Sequence, residues 1–304
     1  MRPWAILLAG SLAVASPACA ETGTPIDTAV GDDAITVASF NFAEDQVIAE
    51  IYAAALEGAG FHVERQMAVG TRELVLPSLE RGLVEVVPEY AGSALRFLGG
   101  APSSDTAATV HALRSTLGAR GLEVLRPADA QDANGLVVTA DTAERLGLRT
   151  IGDLAPDART MTLGGPPECP DRDLCLRGFE DRYGLRFRSF LPLDTGGPLT
   201  AEAIRRGTVD VGVLFTTDGA LTTGELLLLD DDLGLQPAEN VVPIVRRDAI
   251  ERFGPGVTTI LDRISSMLTT DDLRRLNVMI AGGTDPAAAA RVWLDANGVP
   301  VRQA

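Results

Sequence analysis

The sequence predicts an α/β protein in which mostly parallel sheets are covered by helices on both faces. Short apolar, β-branched runs alternate with segments of helical periodicity, and this rhythm is typical of parallel strands joined by helical crossovers. The chain has 304 residues, 46% of them apolar and 22% charged, which suits a soluble protein with one large or two medium domains. A polar stretch at 127–134 separates a first strand–helix unit from a second.

The first unit opens with an alternating strand over 34–39. A helix over 44–59 follows, because its apolar residues recur at helical spacing and Gly60 ends it. Its apolar face comprises Val47, Ile48, Ile51, Tyr52, Ala55 and Leu56. A second strand begins near residue 61, and the next helix covers 70–81.

The stretch 85–95 shows the pattern most clearly. Its apolar run predicts a buried strand, which we expect Pro88 to end because proline has no N–H for the ladder. Tyr90 follows, and Gly92 lies at the start of a predicted helix. A strand that runs directly into a helix places this junction at the carboxyl edge of the sheet, where open α/β folds bind ligands.

The rest of the chain continues the alternation. Residues 105–121 predict a helix and 122–125 a strand. The second unit predicts strands over 136–139, 160–163 and 209–215 and helices over 141–146, 178–183 and 200–206. A run at 226–230 leads back to a strand at 241–245, and helices over 256–268, 270–280 and 286–297 complete the chain.

The first twenty residues are typical of an export signal. Arg2 precedes an apolar run at 4–14 that is too short to span a membrane. Cleavage after residue 20 would remove this segment, whereas lipid attachment at Cys19 would anchor the chain, and the sequence leaves both routes open. Residues 21–33 predict a flexible tether. No later apolar run approaches the ~18 residues of a membrane span, which argues against a permease.

The composition excludes several classes of function. The formal net charge of −16 and a pI near 4.5 argue against nucleic-acid binding. All 26 basic residues are arginine, which excludes a Walker phosphate loop and lysine Schiff-base chemistry. The two histidines, His62 and His111, suit structural roles, and we expect neither a metal site nor a catalytic group. A secreted enzyme on the same scaffold is the alternative from another class.

Two cysteines, Cys169 and Cys175, follow the export segment. An even pair in an exported protein favours a disulfide. Without neighbouring histidines, the pair is a poor zinc site.

Six short blocks occur in the order that one known family shows. They are 38–44, 69–71, 88–92, 133–139, 164–172 and 215–218, and the third contains a Pro-acidic-Tyr-x-Gly core. On these blocks, the chain resembles the extracytoplasmic solute-binding proteins of ABC importers for glycine betaine, choline and related osmoprotectants. The resemblance extends from about residue 35 to the C-terminus.

The resemblance implies a two-lobed, type II periplasmic-binding-protein fold with the ligand cleft between its lobes. Lobe 1 would comprise 34–132 and 240–304, lobe 2 would comprise 133–239, and hinge closure would trap the ligand. A protein of this kind is periplasmic or anchored to the outer face of the cytoplasmic membrane. It is expected to be a monomer that delivers its solute to an ABC permease and its ATPase subunit, without a cofactor and without chemistry.

The ligands of this family require two kinds of contact. A quaternary ammonium has no N–H, so a protein holds it with aromatic faces, worth ~0.5–2 kcal/mol each, and nearby carboxylates. A carboxylate instead suits the bidentate fork of arginine.

By position, the resemblance assigns the carboxylate-binding arginine to Arg172 and a cage aromatic to Phe215; a surface arginine and a core phenylalanine are the alternatives. For Asn41 and Thr71, helix capping is an alternative that can coexist with ligand contact. We expect the cleft to be lined by Phe40, Asn41, Thr71, Glu89, Tyr90, Asn134, Arg172, Leu199, Thr200, Phe215 and Thr216.

The sequence departs from the family in its aromatic residues. Val87 stands where many relatives have a cage tyrosine, and the chain has only three tyrosines, Tyr52, Tyr90 and Tyr183. A full tyrosine cage is therefore impossible. Betaine, choline and other small organic solutes, such as an aromatic compound or an amino-acid derivative, all remain candidate ligands.

Overall fold

The computed structural model describes residues 33–302. Its strands are β1 (Ile35–Phe40), β2 (Val63–Gly70), β3 (Val86–Tyr90), β4 (Leu122–Val124), β5 (Asn134–Thr139), β6 (Thr162–Gly165), β7 (Ser189–Pro192), β8 (Val211–Phe215), β9 (Leu226–Leu228) and β10 (Val241–Arg246). Its helices are α1 (Ala43–Gly58), α2 (Arg72–Arg81), α3 (Ala91–Phe97), α4 (Thr106–Gly118), α5 (Ala140–Leu146), α6 (Leu176–Tyr183), α7 (Pro198–Arg205), α8 (Arg247–Phe253), α9 (Gly256–Ser265), α10 (Thr270–Ala281) and α11 (Pro286–Ala296).

The strands form two five-stranded sheets, one in each lobe. The first has the order β2-β1-β3-β10-β4 and the second the order β7-β6-β8-β5-β9. In the first sheet, β1 is parallel to β2 and β3, while β10 is antiparallel to β3 and β4. In the second, β6 is parallel to β7 and β8, and β5 is antiparallel to β8. Helices flank both sheets, so the predicted two-lobed α/β class is confirmed.

The first sheet buries a separate apolar cluster on each face. On one face, α1 packs against α9, α10 and α11, and Tyr52 and Trp293 lie within that cluster. On the other face, α3 packs against α4, and Leu79 of α2 lies in the cluster beside Leu113. Each fully buried leucine contributes about 1.5–3 kcal/mol relative to an exposed one. This packing also takes Tyr52 out of reach of any ligand.

Two chain segments cross between the lobes, and they hydrogen-bond to each other. The first crossing runs from β4 to β5 and the second from β9 to β10. Gln131 and Asn240 form an antiparallel bridge, and the Asp132 N–H donates to the Glu239 carbonyl at 3.1 Å. The lobe boundaries proposed from the resemblance lie within these two segments.

The prediction that Pro88 ends its strand is wrong. β3 continues through Pro88 to Tyr90, and Pro88 faces Pro243 of β10 in antiparallel register. The Pro243 carbonyl accepts from the Leu125 N–H, so the polar edge of Pro243 points away from β3. The two prolines therefore form a non-hydrogen-bonded pair, which needs no N–H from either residue.

Asn41 does not cap the first helix. α1 begins at Ala43 with Phe42 at its N-cap position, and no side chain caps it. Asp45 instead reaches back, because its Oδ1 accepts from the Phe40 N–H at 2.6 Å. Thr71 does lie at the N-cap position of α2, although its side chain makes no capping hydrogen bond to that helix.

The predicted export segment, Cys19 and all but the last residue of the predicted tether lie outside the described residues. Between residues 33 and 302, no helix combines the length and apolar character needed to cross a membrane.

The structure places Cys169 and Cys175 at disulfide-bonding separation, with Cα atoms 5.1 Å apart. We expect the peptides that contain them to resist alkylation even in denaturant, because a bonded sulfur has no thiolate to react. Mass spectrometry after iodoacetamide treatment checks this. The matched control is the same denatured sample with reductant, in which both cysteines should be labelled. Labelling without reductant would show that burial alone protected two free thiols.

Candidate ligand-binding cleft

A cavity of about 770 Å³ lies between the two lobes. Phe42 and Glu44, at the start of α1, line it from the first lobe. The second lobe contributes residues 196–198 and Phe215, and Asp132 of the first crossing also lines it. The cavity therefore has walls from both lobes and a side chain from the segment about which they would rotate.

Aromatic rings face this cavity from both sides. The Phe42 ring stacks on Phe40 with centroids 5.8 Å apart and lies 6.0 Å from the Tyr90 ring, while 42% of its surface stays exposed. Phe215 lies on the opposite wall, and a Cβ at Gly196 would come within 2.4 Å of its ring. Glycine at 196 is therefore required for the Phe215 ring to lie where it does.

Three carboxylates line the same cavity: Glu44, Asp132 and Asp218. Glu44 accepts from the Tyr90 hydroxyl at 2.7 Å and from Asn277 Nδ2 at 2.6 Å. These donors are neutral, so they orient the carboxylate without cancelling its charge.

The other two carboxylates are held in the same way. Asp132 accepts from the Thr217 hydroxyl at 3.0 Å, and Asp218 accepts from the Ala220 N–H at 2.7 Å. Burial raises the pKa of Asp132 well above its ordinary value, and the negative charge of Glu44 raises it further. Burial also raises the pKa of Asp218. Both shifts mean that the folded protein disfavours the charged form of these groups.

The three carboxylates have no basic partner. In the described part of the chain, no arginine nitrogen lies within 4.0 Å of Glu44, Asp132 or Asp218. Arg205 lines the cavity, but its Nε lies 3.1 Å from a Glu225 oxygen, which compensates its charge. The described residues contain no group of three or more side chains arranged to hold a metal ion. A cation bound in this cavity would favour the charged forms of Asp132 and Asp218, which burial disfavours.

The edge of the first sheet beneath the cavity is a closed polar network. Arg72 binds Glu89 in a bidentate pair, with Nε–Oε1 at 2.7 Å and Nη2–Oε2 at 3.0 Å. Glu89 also accepts from the Tyr90 N–H, so both of its oxygens are engaged. Burial raises the pKa of Glu89, whereas Arg72 lowers it. The Arg72 guanidinium in turn lies 5.3 Å from the centre of the Phe40 ring.

The β3–α3 junction docks on the second crossing. The Ala91 N–H donates to the Asn240 carbonyl at 3.0 Å, and Glu239 accepts from both the N–H and the hydroxyl of Ser93. A Cβ at Gly92 would meet the Glu239 side chain at 2.9 Å, so glycine permits this close approach. The Pro-acidic-Tyr-x-Gly core therefore joins the sheet edge to the hinge.

A second cavity has a volume of about 460 Å³. Arg172, Asn134 and Thr195 line it from the second lobe, and Arg96 of α3 lines it from the first. Thr195 lines this cavity, and its neighbour in sequence, Gly196, lines the larger one.

The remaining residues that were predicted to line the cleft lie in several different places. Thr216 and Asn134 line a third cavity of about 260 Å³, where the Thr216 hydroxyl donates to the Gln131 carbonyl. Thr200 is buried, and its hydroxyl donates to Asp194 Oδ1 at 2.7 Å. Leu199 is 64% exposed and lines none of these three cavities. The exposed Asn41 and Thr71 do not line them either.

Sequence reasoning missed most of the residues around the large cavity, among them Phe42, Glu44, Asp132, Asp218 and Asn277. Phe42 and Glu44 belong to the block 38–44, so an aromatic and an acid just after a strand were a usable signal. Asn277 had no such signal, because α10 meets Glu44 across 233 residues of sequence.

Comparison with known proteins identifies the family. Residues 33–296 match the model of the substrate binding domain of ABC-type glycine betaine transport systems. The chain belongs to this family. The resemblance seen in the six blocks is thereby confirmed.

Individual relatives agree with this assignment. The chain is 27% identical to a glycine-betaine-binding protein of Pseudomonas aeruginosa, with 82% of each chain covered. It is 25% identical to the glycine betaine-binding protein YehZ of Escherichia coli K12, with 98% of each covered. A crystal structure of a glycine betaine/carnitine/choline ABC transporter has the same fold, with a TM-score of 0.82, 22% identity and coverage of 87% of this chain and 99% of that one.

We expect Asp132→Asn to stabilise the protein without ligand. Asparagine keeps an oxygen for Thr217 and removes a charge that the fold disfavours, so Tm should rise by about 2–4 °C, the response of a domain of this size to 1 kcal/mol. The pKa of Asp132 is higher in the folded protein than in the unfolded chain. Its contribution to the free energy of unfolding is therefore favourable at low pH and is lost as pH rises through the folded pKa. The gain should therefore be larger at pH 8 than at pH 5.

Differential scanning calorimetry at both pH values checks this expectation. Asp295→Asn on the exposed surface of α11 is the matched control and should change Tm little. A lower Tm for Asp132→Asn at pH 8 would contradict the electrostatic account.

Proposed function

We propose that this protein is an extracytoplasmic receptor that holds a quaternary-ammonium solute in the 770 Å³ cavity and delivers it to an ABC permease. The observation that carries the proposal is the pairing of two aromatic walls, Phe42 and Phe215, with three carboxylates that lack a basic partner. Family membership supports the transport role, and the names of the relatives support this class of ligand.

The chemistry of the cavity suits such a cation. A trimethylammonium group is large, apolar at its surface and unable to donate a hydrogen bond, so it needs ring faces and negative charge rather than hydrogen-bond acceptors in fixed directions. Burying carboxylates without counterions is costly, and a bound cation would remove that cost. The protein thus gains from the ligand the charge balance that its own side chains do not supply.

The Arg72–Phe40 contact supports this use of phenylalanine. Arg72 already lies over the Phe40 ring, at 5.3 Å from its centre, beside the stacked Phe42. A phenyl ring next to the cavity lining thus already meets one cation in this protein. Phe42 and Phe215 take the place of the missing tyrosines in this proposal.

The remaining features follow the family. We expect export by the first twenty residues, with Cys19 either lost with the signal or lipidated, and a monomer that meets a permease and its ATPase subunit. The segments 34–132 and 240–304 would close against 133–239 about the paired crossings. Asn134 and Arg172 would contact the ligand from the second lobe, and Glu89 would act by fixing Arg72. Binding, without chemical change, is the proposed activity.

A ligand panel tests the proposal. Thermal shift with choline, glycine betaine, carnitine, ectoine and amino acids should show stabilisation near ~2.7 kcal/mol at a hundredfold excess over Kd for at least one quaternary amine. The matched control ligand is 3,3-dimethylbutanol, which has the shape of choline without its charge and should give no shift. Stabilisation by amino acids alone, or by nothing in the panel, would overturn the assignment to quaternary amines.

Cation binding should strengthen as pH rises from 5 to 8. Burial raises the pKa of Asp132 and Asp218, and a cation favours their charged forms, so binding should be coupled to proton release. Isothermal titration in two buffers of different ionisation enthalpy measures the released protons. Asp132→Asn should weaken binding about tenfold and flatten the pH profile, whereas an affinity independent of pH in the unmodified protein would contradict the role of these acids.

A further inference from the structure

We infer that helix α10 forms a third connection between the lobes, and that Asn277 uses it to hold the Glu44 carboxylate in place at the wall of the large cavity. The chain itself crosses between the lobes twice, whereas α10 packs on α1 of the first lobe and reaches the second lobe through its side chains. The part that Glu44 plays in binding rests on the proposed function, but the connection between the lobes does not.

Two side chains of α10 donate hydrogen bonds to the backbone that follows β8 of the second lobe. Arg274 Nε donates to the Thr216 carbonyl at 2.7 Å, and Asn277 Nδ2 donates to the Thr217 carbonyl at 3.0 Å. Both acceptors are main-chain oxygens, so the helix holds the path of the chain rather than one flexible side chain. We call this line of contacts the α10 seam.

The α10 seam extends outward from the first crossing. At its inner end, the Gln131 N–H donates to the Thr270 hydroxyl at 3.1 Å. At its outer end, a Cβ at Gly219 would lie 2.7 Å from Val278 Cγ2, so glycine brings this backbone into contact with the helix. Eight residues of α-helix span about 12 Å, so the seam extends a point of attachment into a line. The lobes can still rotate about that line, whereas a twist of one lobe across it would break the seam.

A single amide serves both lobes at Asn277. Its two N–H groups match its two acceptors, which are Glu44 Oε2 at 2.6 Å and the Thr217 carbonyl at 3.0 Å. Thr217 in turn donates its hydroxyl to Asp132 at 3.0 Å. A chain of hydrogen bonds therefore links two of the three carboxylates of the cavity across the boundary between the lobes.

This chain of hydrogen bonds makes Asn277 a positioning residue. Asn277 and the Tyr90 hydroxyl are the two donors that orient Glu44, and both are neutral, so the carboxylate has a fixed direction and keeps its charge. Because the same amide also holds Thr217, a displacement of the second lobe would change the orientation of Glu44. The position of the lobes and the geometry of the acidic wall are thus coupled.

The neighbouring Arg275 allows the seam to be tested separately from charge. Each of the two arginines donates at 2.7 Å to the aspartate three residues earlier, Arg274 to Asp271 and Arg275 to Asp272. In the described part of the chain, Arg275 makes no hydrogen bond to the second lobe, and 64% of its side chain is exposed. The two positions therefore share their charge and their local ion pair and differ in the contact with Thr216.

Spin-label distances in the ligand-free protein test the seam directly. Leu74→Cys on α2 and Leu199→Cys on α7 place one label on each lobe, at side chains that are 53% and 64% exposed. In double electron–electron resonance, Arg274→Gln should broaden the distribution of distances between the labels. Arg275→Gln is the matched control and should leave the distribution unchanged. Equal widths in the two variants would overturn the seam, whatever the protein binds.

Isothermal titration with choline tests the role of Asn277. Asn277→Asp keeps the shape of the side chain, but an ionised carboxylate has no N–H for Glu44 or Thr217. If Asn277 positions Glu44, this variant should bind choline about tenfold more weakly. If Asn277 only lines the cavity, the added negative charge should strengthen the binding of a cation. Stronger binding, or an unchanged affinity, would therefore overturn the positioning role.

The matched control for this substitution is Asn297→Asp at the end of α11. The Asn297 amide also donates to a carbonyl, that of Trp293 at 2.8 Å, but this acceptor belongs to its own helix. The control variant should bind choline as the unmodified protein does. Failure of the unmodified protein to bind choline, glycine betaine or carnitine would overturn the proposed function and the role of Asn277 in binding, and the spin-label distances would still decide the seam.

Discussion

The backbone pairing of the two crossing segments determines where the lobes meet and what they bring together. The bond from the Asp132 N–H to the Glu239 carbonyl holds two acidic residues side by side, and the Ala91 bond to Asn240 attaches the first sheet's edge to the same point. These backbone bonds keep the attached carboxylates from moving apart. Hydrogen bonds between backbone atoms, rather than contacts between charged side chains, thus hold these acidic residues together at the hinge.

The fold could be predicted from the sequence where a pattern repeats over enough residues. The stripe from Val47 to Leu56 and the apolar runs of the parallel strands predicted their elements to within a few residues. β7 (Ser189–Pro192) and α8 (Arg247–Phe253) were missed; four and seven residues carry little periodicity, although β6 and α5, which are equally short, were predicted. The prediction at Pro88 was wrong for a different reason. Whether a proline ends a strand depends on whether its position in the ladder needs an N–H, and only the pairing with the partner strand shows this.

The site was less predictable, because its chemistry comes from residues that are distant in sequence. Phe215 and Arg172 could be placed by family position, and each lines a cavity. The unpartnered state of Glu44 and Asp132 could not be foreseen, since it depends on every arginine being elsewhere. Glu89 shows the reverse case: a carboxylate at the right sheet edge is engaged by Arg72, which sequence spacing alone would not reveal.

The disfavoured charge on Asp132 links ligand binding to thermal stability. Without ligand, the protein carries the unfavourable charge of Asp132, and a bound cation would offset it. The melting temperature would therefore rise with the concentration of solute. A variant chosen for heat resistance alone would lose the charge of Asp132, and weaker cation binding would accompany that loss. Consensus stabilisation of such a receptor should therefore leave residue 132 untouched if transport is to survive the redesign.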